Sequence, residues 1–317
     1  MTIRVIKKLK NWKHYIFIGE NAFALPADPS IQMMLYRKDV FDNPVIQKAA
    51  FEETGTPLLP PQSYLDLQHF CTFFNKLKIP EKPVPHPLQL VTGVGNLVSS
   101  EFLPYFFAGA GSIELTDNYI SISPDAFVAT LNNYRKIHQT ADHTNSIWWD
   151  NEIDAFNNNK TALIIGYTNH LNQVKNVDYS FAPIPGNTPA LGGGVIGITK
   201  KSHYPEICEL FLTWLYQYRI QEQLALLGVC IPETDFFEDR HIFRQFPFLS
   251  QSSSLLKTGQ RCRQFNNGAI VNTFRLEQIV GKIIIHGIET GVSSSEILSE
   301  ITKQLNIDQP QLVQLVH

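Results

Sequence analysis

Cysteine is scarce in this chain of 317 residues: Cys71, Cys208, Cys230 and Cys262 lie far apart, and none belongs to a CxxC pair. Such spacing supports neither a zinc site nor a disulfide framework, and buried free thiols are the plain expectation. Charge is sparse as well. Only 17% of residues are Asp, Glu, Lys or Arg, with a net charge of -3 and a pI near 6.4. A protein of that balance does not hold nucleic acid by bulk electrostatics. Nor does any uninterrupted apolar run approach the ~18 residues of a membrane-spanning helix. The basic start (Arg4, Lys7, Lys8, Lys10, Lys13) is followed only by Tyr15-Ile16-Phe17-Ile18-Gly19 before Glu20. A secretory signal needs an apolar core of about 7–15 residues. No lipid-attachment cysteine precedes Cys71 either, so as encoded the chain reads as cytoplasmic. What is plentiful is apolar: 44% hydrophobic residues, enough for a sizeable core in about two domains of ~150 residues each.

Extended segments fill residues 14–41, with Pro26-Ala27-Asp28-Pro29 expected to break the run before the apolar stretch Ile31–Tyr36. Ser63 caps a helix whose Tyr64, Leu67, Phe70, Phe74 and Leu77 keep helical spacing. Four prolines (Pro80, Pro83, Pro85, Pro87) predict a loop over 79–88. Further helices are expected from Ser99 to Ala108, stopped by Gly109-Ala110-Gly111, from Ser123-Pro124-Asp125, and from Glu152 to Asn158. Strands are expected at Thr161–Gly166, Tyr179–Pro183 and Val195–Ile198. Helices follow at Pro205–Tyr218, Ile220–Leu227, Asn272–His286 and Ser293–Leu305, the last with a Ser293–Glu296 capping box. Strands and helices alternate without internal repeats, which is an α/β pattern.

Five stretches keep a familiar order. Leu35-Tyr36-Arg37-Lys38-Asp39-Val40-Phe41 looks like an "L-Y-Y-N-K-D-L-F" element. Phe102 to Gly111 looks like a helix ending in a Gly-Gly turn. Ala155 to Leu163 is similar to "A-F-x-x-G-K-T-A-M", with Asn159 in place of the usual glycine. Ala182-Pro183-Ile184-Pro185-Gly186, followed by Gly192 to Ile198, looks like "P-x-P-G…G-G…-G-I". Glu209 to Pro232 is similar to "A-W-x-F-x-x-F-L…Q…G-x-x-P". Together they resemble the family-1 extracellular solute-binding proteins of ABC importers.

That resemblance implies a type II periplasmic-binding-protein-like fold of two lobes and a hinge, the second lobe complete and the first partial. It assigns residues 1–28 to a remnant of the first lobe and hinge strand, 29–190 to the second lobe, 191–235 to a first-lobe segment and 236–317 to the rest of the second lobe. The segment 191–235 would then expose apolar faces such as Phe211 and Leu215. The implied function is non-catalytic binding of a solute, a carbohydrate or oligosaccharide. The implied partners are an ABC permease or a missing N-terminal lobe, and no cofactor is expected.

Candidate ligand residues follow from the same resemblance. Trp149 stands where the family places a sugar-stacking aromatic; with Trp148, Asp150 and Glu152 it offers a flat apolar face beside carboxylates. Ordinary packing is the alternative for both tryptophans; because neighbours in an extended segment point opposite ways, Trp149 is expected to stack and Trp148 to pack. Tyr167, Asn169 and His170 follow a buried strand, and ligands of open α/β sheets lie beyond strand carboxyl ends. Asn96, Ser100 and Glu101 sit at a helix start similar to a ligand-contacting element. Asp28, Phe274 and Arg275 are further candidates that turn chemistry or a solvated helix face also explains.

Gly192, Gly193 and Gly194 read as hinge glycines. The literal GxGxxG from Gly192 to Gly197 enters a strand rather than a helix, so it is no phosphate loop. His138 and His143 flank Asp142 at a spacing that is not one metal-binding helical face, and both read as solvated. Neither GxSxG nor HExxH occurs, and a glycosidase built on Asp150 and Glu152 is the least favoured class, those carboxylates reading as solvated. The alternative to an importer component is the ligand-sensing domain of a cytoplasmic transcriptional regulator, which unpaired cysteines would suit.

Overall fold

The computed structural model describes residues 16–18, 21–93, 95–144, 146–229, 231, 244–261 and 264–314. The basic run Arg4–Lys13, Tyr15, Gly19, Glu20, Cys230, Pro232 and Cys262 lie outside the described residues. The fold is α/β. In chain order its main elements are β1 (Leu25–Arg37), α1 (Pro44–Thr54), α2 (Tyr64–Lys76), β2 (His86–Leu88), α3 (Gly95–Ala108), β3 (Ile113–Thr116), β4 (Tyr119–Ile122), α4 (Pro124–Thr140) and α5 (Trp149–Asn157). There follow β5 (Thr161–Tyr167), β6 (Tyr179–Ala182), β7 (Leu191–Ile196), α6 (Pro205–Leu215), α7 (Tyr218–Leu226), α8 (Leu249–Thr258), α9 (Thr273–Glu289) and α10 (Ser294–Ile307). The chain divides into a smaller unit (Met1–Gln32, Tyr167–Asn172, Leu191–Gly259) and a larger one (Met33–Gly166, Gln173–Ala190, Gln260–His317). Its outer breaks therefore fall after Gln32 and Gly259, where the sequence reading set them after 28 and 235.

In the larger unit, strands stand in the order β2-β5-β1-β6. β2 and β5 are parallel (His86↔Thr161, Leu88↔Leu163), and β6 runs antiparallel to the end of β1 (Met34↔Ala182 to Arg37↔Tyr179). β5 is buried on both faces and shows no alternation, as a central strand should. The core is aromatic. Phe102 packs edge-on against Phe127 and Tyr134 at 5.2 and 5.8 Å between ring centres, and parallel to Phe106 at 6.2 Å. α3 and α9 cross at two glycines: a Cβ on Gly281 would lie 1.7 Å from the Gly95 carbonyl oxygen, so only glycine permits this approach. β3 and β4 form a hairpin turned by Asp117 and Asn118, both in the left-handed region (φ 50° and 61°) that a two-residue turn demands.

In the smaller unit, β7 pairs antiparallel with the first half of β1, from Leu25↔Ile196 to Ile31↔Leu191. The prolines do not break β1. The register shifts between Pro26 and Asp28, and such an irregularity accommodates a residue that donates no ladder hydrogen bond. The expected loop 79–88 likewise ends in β2, and the strand near Gly194 begins at Leu191 rather than Val195. α1 and α8 have no counterpart in the sequence reading. α1 has a full set of end signals: Asn43 Oδ1 accepts from the Val45 and Ile46 amides, Pro44 stands at its first turn, and Gly55 closes it at φ 74°.

Among the described residues, Cys71 is buried and Cys208 half-buried, and both are free thiols. Burial pushes the Cys71 thiol up to about 12, so it is inert at neutral pH.

Candidate functional site

A groove of about 1000 Å³ lies in the larger unit. Its walls are the segment Thr92-Gly93, the start of α3 (Gly95, Asn96), α9 (Phe274, Arg275, Gln278, Lys282 and His286, with Ile279, Ile283 and Ile285 as apolar lining) and the α10 residues Glu300 and Gln304. The glycine crossing creates it: with Gly281 against Gly95, the first turn of α3 meets α9 beside Gln278 and Lys282. Asn272 caps α9 by accepting from the Arg275 amide, which fixes where Phe274 emerges. Phe274 is exposed. Arg275 is held by Asp308, with its Nε 2.8 Å from Oδ2. The groove therefore joins an open aromatic ring to amides (Asn96, Gln278, Gln304) and cations (Arg275, Lys282). That mixture suits a polyhydroxylated ligand, whose hydroxyls take hydrogen bonds while its C–H face takes the ring.

Three candidates from the sequence thus come together: Asn96, Phe274 and Arg275. Gln278, Lys282 and His286 were missed, although a polar or aromatic residue at every fourth position (274, 278, 282, 286) marks one helix face.

Trp148 and Trp149 follow Ile147, whose backbone lies against Gly93 of the groove. The Thr92 amide donates to Ser146 at 2.9 Å, and a Cβ on Gly93 would lie 2.4 Å from Ile147 Cα. The Ile147 and Trp148 amides both donate to Asn151 Oδ1 at 3.0 Å, which starts α5. Exposure is 47% for Trp148 and 6% for Trp149. The open ring face is therefore that of Trp148, the reverse of the expectation that Trp149 stacks and Trp148 packs.

Glu101 faces inward. Its Oε1 accepts from the Val91 amide at 2.6 Å and its Oε2 from the Tyr134 hydroxyl at 2.8 Å, so neither oxygen is directed to a ligand. Glu152 lies buried in the same acidic neighbourhood, and its Oε2 has no hydrogen-bond partner among the described residues. Burial raises the Glu101 carboxyl to about 8 and, with the charge of Glu101, raises Glu152 well above the carboxylate range. Glu152 is thus not the solvated carboxylate that its place beside Asp150 suggested; Asp150 is exposed. His138 is buried too, stacked on His143 at 4.4 Å. Burial, then the neighbouring His143, lowers it to about 4, so it is neutral rather than solvated. No group of three or more metal-ligating side chains occurs among the described residues.

In the smaller unit, Asp28, Tyr167, Asn169 and Gly192–Gly194 gather where β1 meets β7. Asp28 Oδ1 accepts from the Gly194 amide at 2.9 Å, and Oδ2 from Asn169 Nδ2 at 3.5 Å. Ser30 Oγ donates to Asn169 Oδ1 at 2.8 Å, and the Ile31 amide donates to Thr168 Oγ1 at 3.2 Å. The Tyr167 ring lies flush with the backbone of Gly192, where a Cβ would come within 2.5 Å of it. Gly193 has φ 83° and leaves no room for a side chain: its Cβ would sit 2.0 Å from the Asp28 carbonyl oxygen. These groups stitch β1 to β7, a structural duty that the sequence did not reveal.

The sequence profile of bacterial extracellular solute-binding proteins matches residues 2–237. Curated protein sequences give no match. Among solved structures, the maltose-bound MalE3 of T. maritima is similar at 18% identity and TM-score 0.72, covering 92% of this chain and 74% of that one. An ABC transporter solute-binding protein from Agrobacterium radiobacter K84, in complex with ribitol, is similar at 16% identity and TM-score 0.73, covering 96% and 77%. The sugar-binding protein MalE of Xanthomonas citri is similar at 14% identity and TM-score 0.70, covering 95% and 74%. Among the described residues, no helix is long and apolar enough to cross a membrane.

Proposed function

Because the chain belongs to the family of bacterial extracellular solute-binding proteins, we propose that it is the sugar- or polyol-binding component of an ABC importer, with the groove of the larger unit as a wall of its ligand site. Members of this family bind a small solute for an ABC permease and carry out no reaction on it. One observation carries the ligand class: Phe274 lies open beside Asn96, Gln278 and Lys282 in a groove of about 1000 Å³. That volume reaches the upper range of small-molecule sites and admits an oligosaccharide. The ligands of the similar structures, maltose and ribitol, support the same class. Trp148, half exposed and next in sequence to the Ile147 that lies against Gly93, offers a second stacking face, while Trp149 is buried.

Titration with maltose, maltotriose, ribitol and mannitol, followed by calorimetry and tryptophan fluorescence, tests the proposal. At least one of them is expected to give a saturable signal. Phe274→Ala and Asn96→Ala should each weaken binding by about tenfold, equivalent to ~1.4 kcal/mol. Trp148→Ala should weaken binding without lowering the melting temperature, whereas Trp149→Ala should lower the melting temperature. Absence of binding to every sugar and polyol at ~10 mM, a level that detects even millimolar affinity, would sink the reading.

A further inference from the structure

We propose that ligand binding in the groove is linked to a proton: Glu101 on α3 and Glu152 on α5 hold the groove wall in place when neutral and release it when ionised. The inference rests on the groove being the ligand site and adds a regulation of that site. The wall segment 91–93 is fastened from two sides. The Val91 amide donates to Glu101 Oε1 at 2.6 Å, and the Thr92 amide donates to the Ser146 carbonyl at 2.9 Å. Gly93 then packs on Ile147, so closely that a Cβ would lie 2.4 Å from Ile147 Cα. The Ile147 and Trp148 amides are tied in turn to Asn151, the neighbour of Glu152. Glu101 therefore anchors the wall segment directly. Glu152 belongs to the helix that continues from the segment packed on that wall.

The groups facing the pair are neutral or acidic. α4 presents Tyr134, whose hydroxyl donates to Glu101 Oε2 at 2.8 Å, and His138, its ring 6.3 Å from that of Tyr134. Burial keeps His138 neutral. α2 presents Tyr64, raised by burial and then by the charges of Tyr105 and Glu101. The segment paired with Leu88 and Leu90 carries Asp142, which faces His86 at 3.7 Å, and His143, which stacks on His138. Neither Glu101 nor Glu152 has a salt-bridge partner among the described residues. A carboxyl so placed keeps its proton more firmly in the closed packing than in water, because burial and a neighbouring acid both oppose the charged form. Glu101 accordingly titrates at about 8. Any arrangement that hydrates the pair must then gain on the closed one as pH rises. The part placed to yield is α5, only nine residues long, with the segment 146–148 that precedes it. Its departure from Gly93 uncovers Trp149 and takes the wall from beside Asn96. By reciprocity, a ligand that needs the wall takes up a proton as it binds.

The test labels the full chain with 5-fluorotryptophan and assigns each fluorine resonance by a single Trp→Phe change. Without ligand, the Trp149 resonance should gain a solvent isotope shift in heavy water as pH rises, with a midpoint near 8, while the far-UV spectrum and the Trp214 resonance of the smaller unit stay constant. Affinity for whichever of maltose, maltotriose, ribitol and mannitol binds should be about tenfold weaker at pH 9 than at pH 6.5, the factor for one linked proton one unit above its folded value. Glu101→Gln should keep Trp149 shielded over the whole range and make the two affinities equal. A Trp149 resonance that stays shielded in the wild type, or is exposed only as the far-UV signal is lost, overturns the proposal. So does a Glu101→Gln chain that still opens near pH 8. Equal wild-type affinities at the two pH values overturn the linkage and leave the groove as a ligand site. If no sugar or polyol binds at either pH, the ligand reading itself fails and its regulation fails with it.

Discussion

Asn159 stands where the resembling motif has glycine, and its geometry shows why asparagine serves. Its φ is 56°, in the left-handed region where glycine is free and asparagine is the best-tolerated side chain. The amide then does what glycine cannot: Asn159 Oδ1 accepts from Arg37 Nη1 at 2.6 Å. Arg37 is itself buried, pairing with Asp39 through Nε at 2.8 Å and Nη2 at 2.6 Å and donating to the Phe156 carbonyl. The side chain at 159 therefore ties the end of α5 to the end of β1. Asn159→Ala loses that charge-assisted bond and adds left-handed strain, about 2–4 kcal/mol together. Asn159→Gly loses the bond alone, about 1–2 kcal/mol. Urea unfolding should rank the three Asn, Gly, Ala in falling stability; an alanine variant as stable as the glycine variant would remove the backbone part of the argument.

At the scale of elements, the α3–α9 crossing governs both packing and the groove. Each helix presents a glycine to the other's backbone: a Cβ on Gly95 would lie 2.7 Å from the Gln278 carbonyl oxygen, and one on Gly281 would meet the Gly95 carbonyl oxygen at 1.7 Å. The Ser99 hydroxyl donates to the Glu277 carbonyl beside this point and pins the register. Gly281→Ala must push the helices apart, an overpacking cost of about 3 kcal/mol or more. The same displacement moves Asn96 away from Gln278 and Lys282, so sugar or polyol affinity should fall together with the melting temperature. Loss of stability with affinity intact would separate the crossing from the groove.

Which elements the sequence disclosed follows from how strongly local chemistry and burial agree. α2, α4, α9 and α10 carry apolar stripes and capping residues that point the same way, and all were legible. α1 was not, because Val45 and Phe51 face solvent and blur its stripe despite intact end signals. α8 carries Ser250, Ser252, Ser253 and Ser254, a composition that reads as loop because serine competes locally for backbone hydrogen bonds. β1 reads as extended but broken at Pro26 and Pro29, and β7 only from Val195, because three glycines mask its start. In both, pairing between distant segments decides, and no single stretch announces it. The site divides in the same way. The aromatic Phe274 and the polar α9 face are visible as a period of four, whereas the inward turn of Glu101 and the burial of Trp149 depend on tertiary packing.

For the molecule as a whole, the acidic cluster of Glu101, Glu152 and Tyr134 sets how stability varies with pH. Glu101 titrates near 8 in the folded chain against 4.5 for an ordinary glutamate, and Glu152 is raised in the same direction. A raised carboxyl means that the folded state binds more protons than the unfolded one, so stability falls as pH rises from the unfolded value to the folded value. His138 opposes this over part of the range. Its folded value near 4, against 6.5 unfolded, adds stability as pH rises between those limits and nothing further above 6.5. Between about 4.5 and 6.5 the two trends offset in part. From 6.5 to 8 the His138 contribution is spent, and stability declines with rising pH through the raised carboxyls. The urea midpoint should therefore be highest in mildly acid solution and fall toward pH 8. Glu101→Gln keeps an oxygen for the Val91 amide and carries no titrating proton, so the decline between pH 6.5 and 8 should shrink sharply in that variant. His138→Gln should leave that alkaline decline in place and flatten the acid side instead. A wild-type midpoint that is level or rising from pH 6.5 to 8 would mean that the Glu101 and Glu152 carboxyls are ionised in the folded chain.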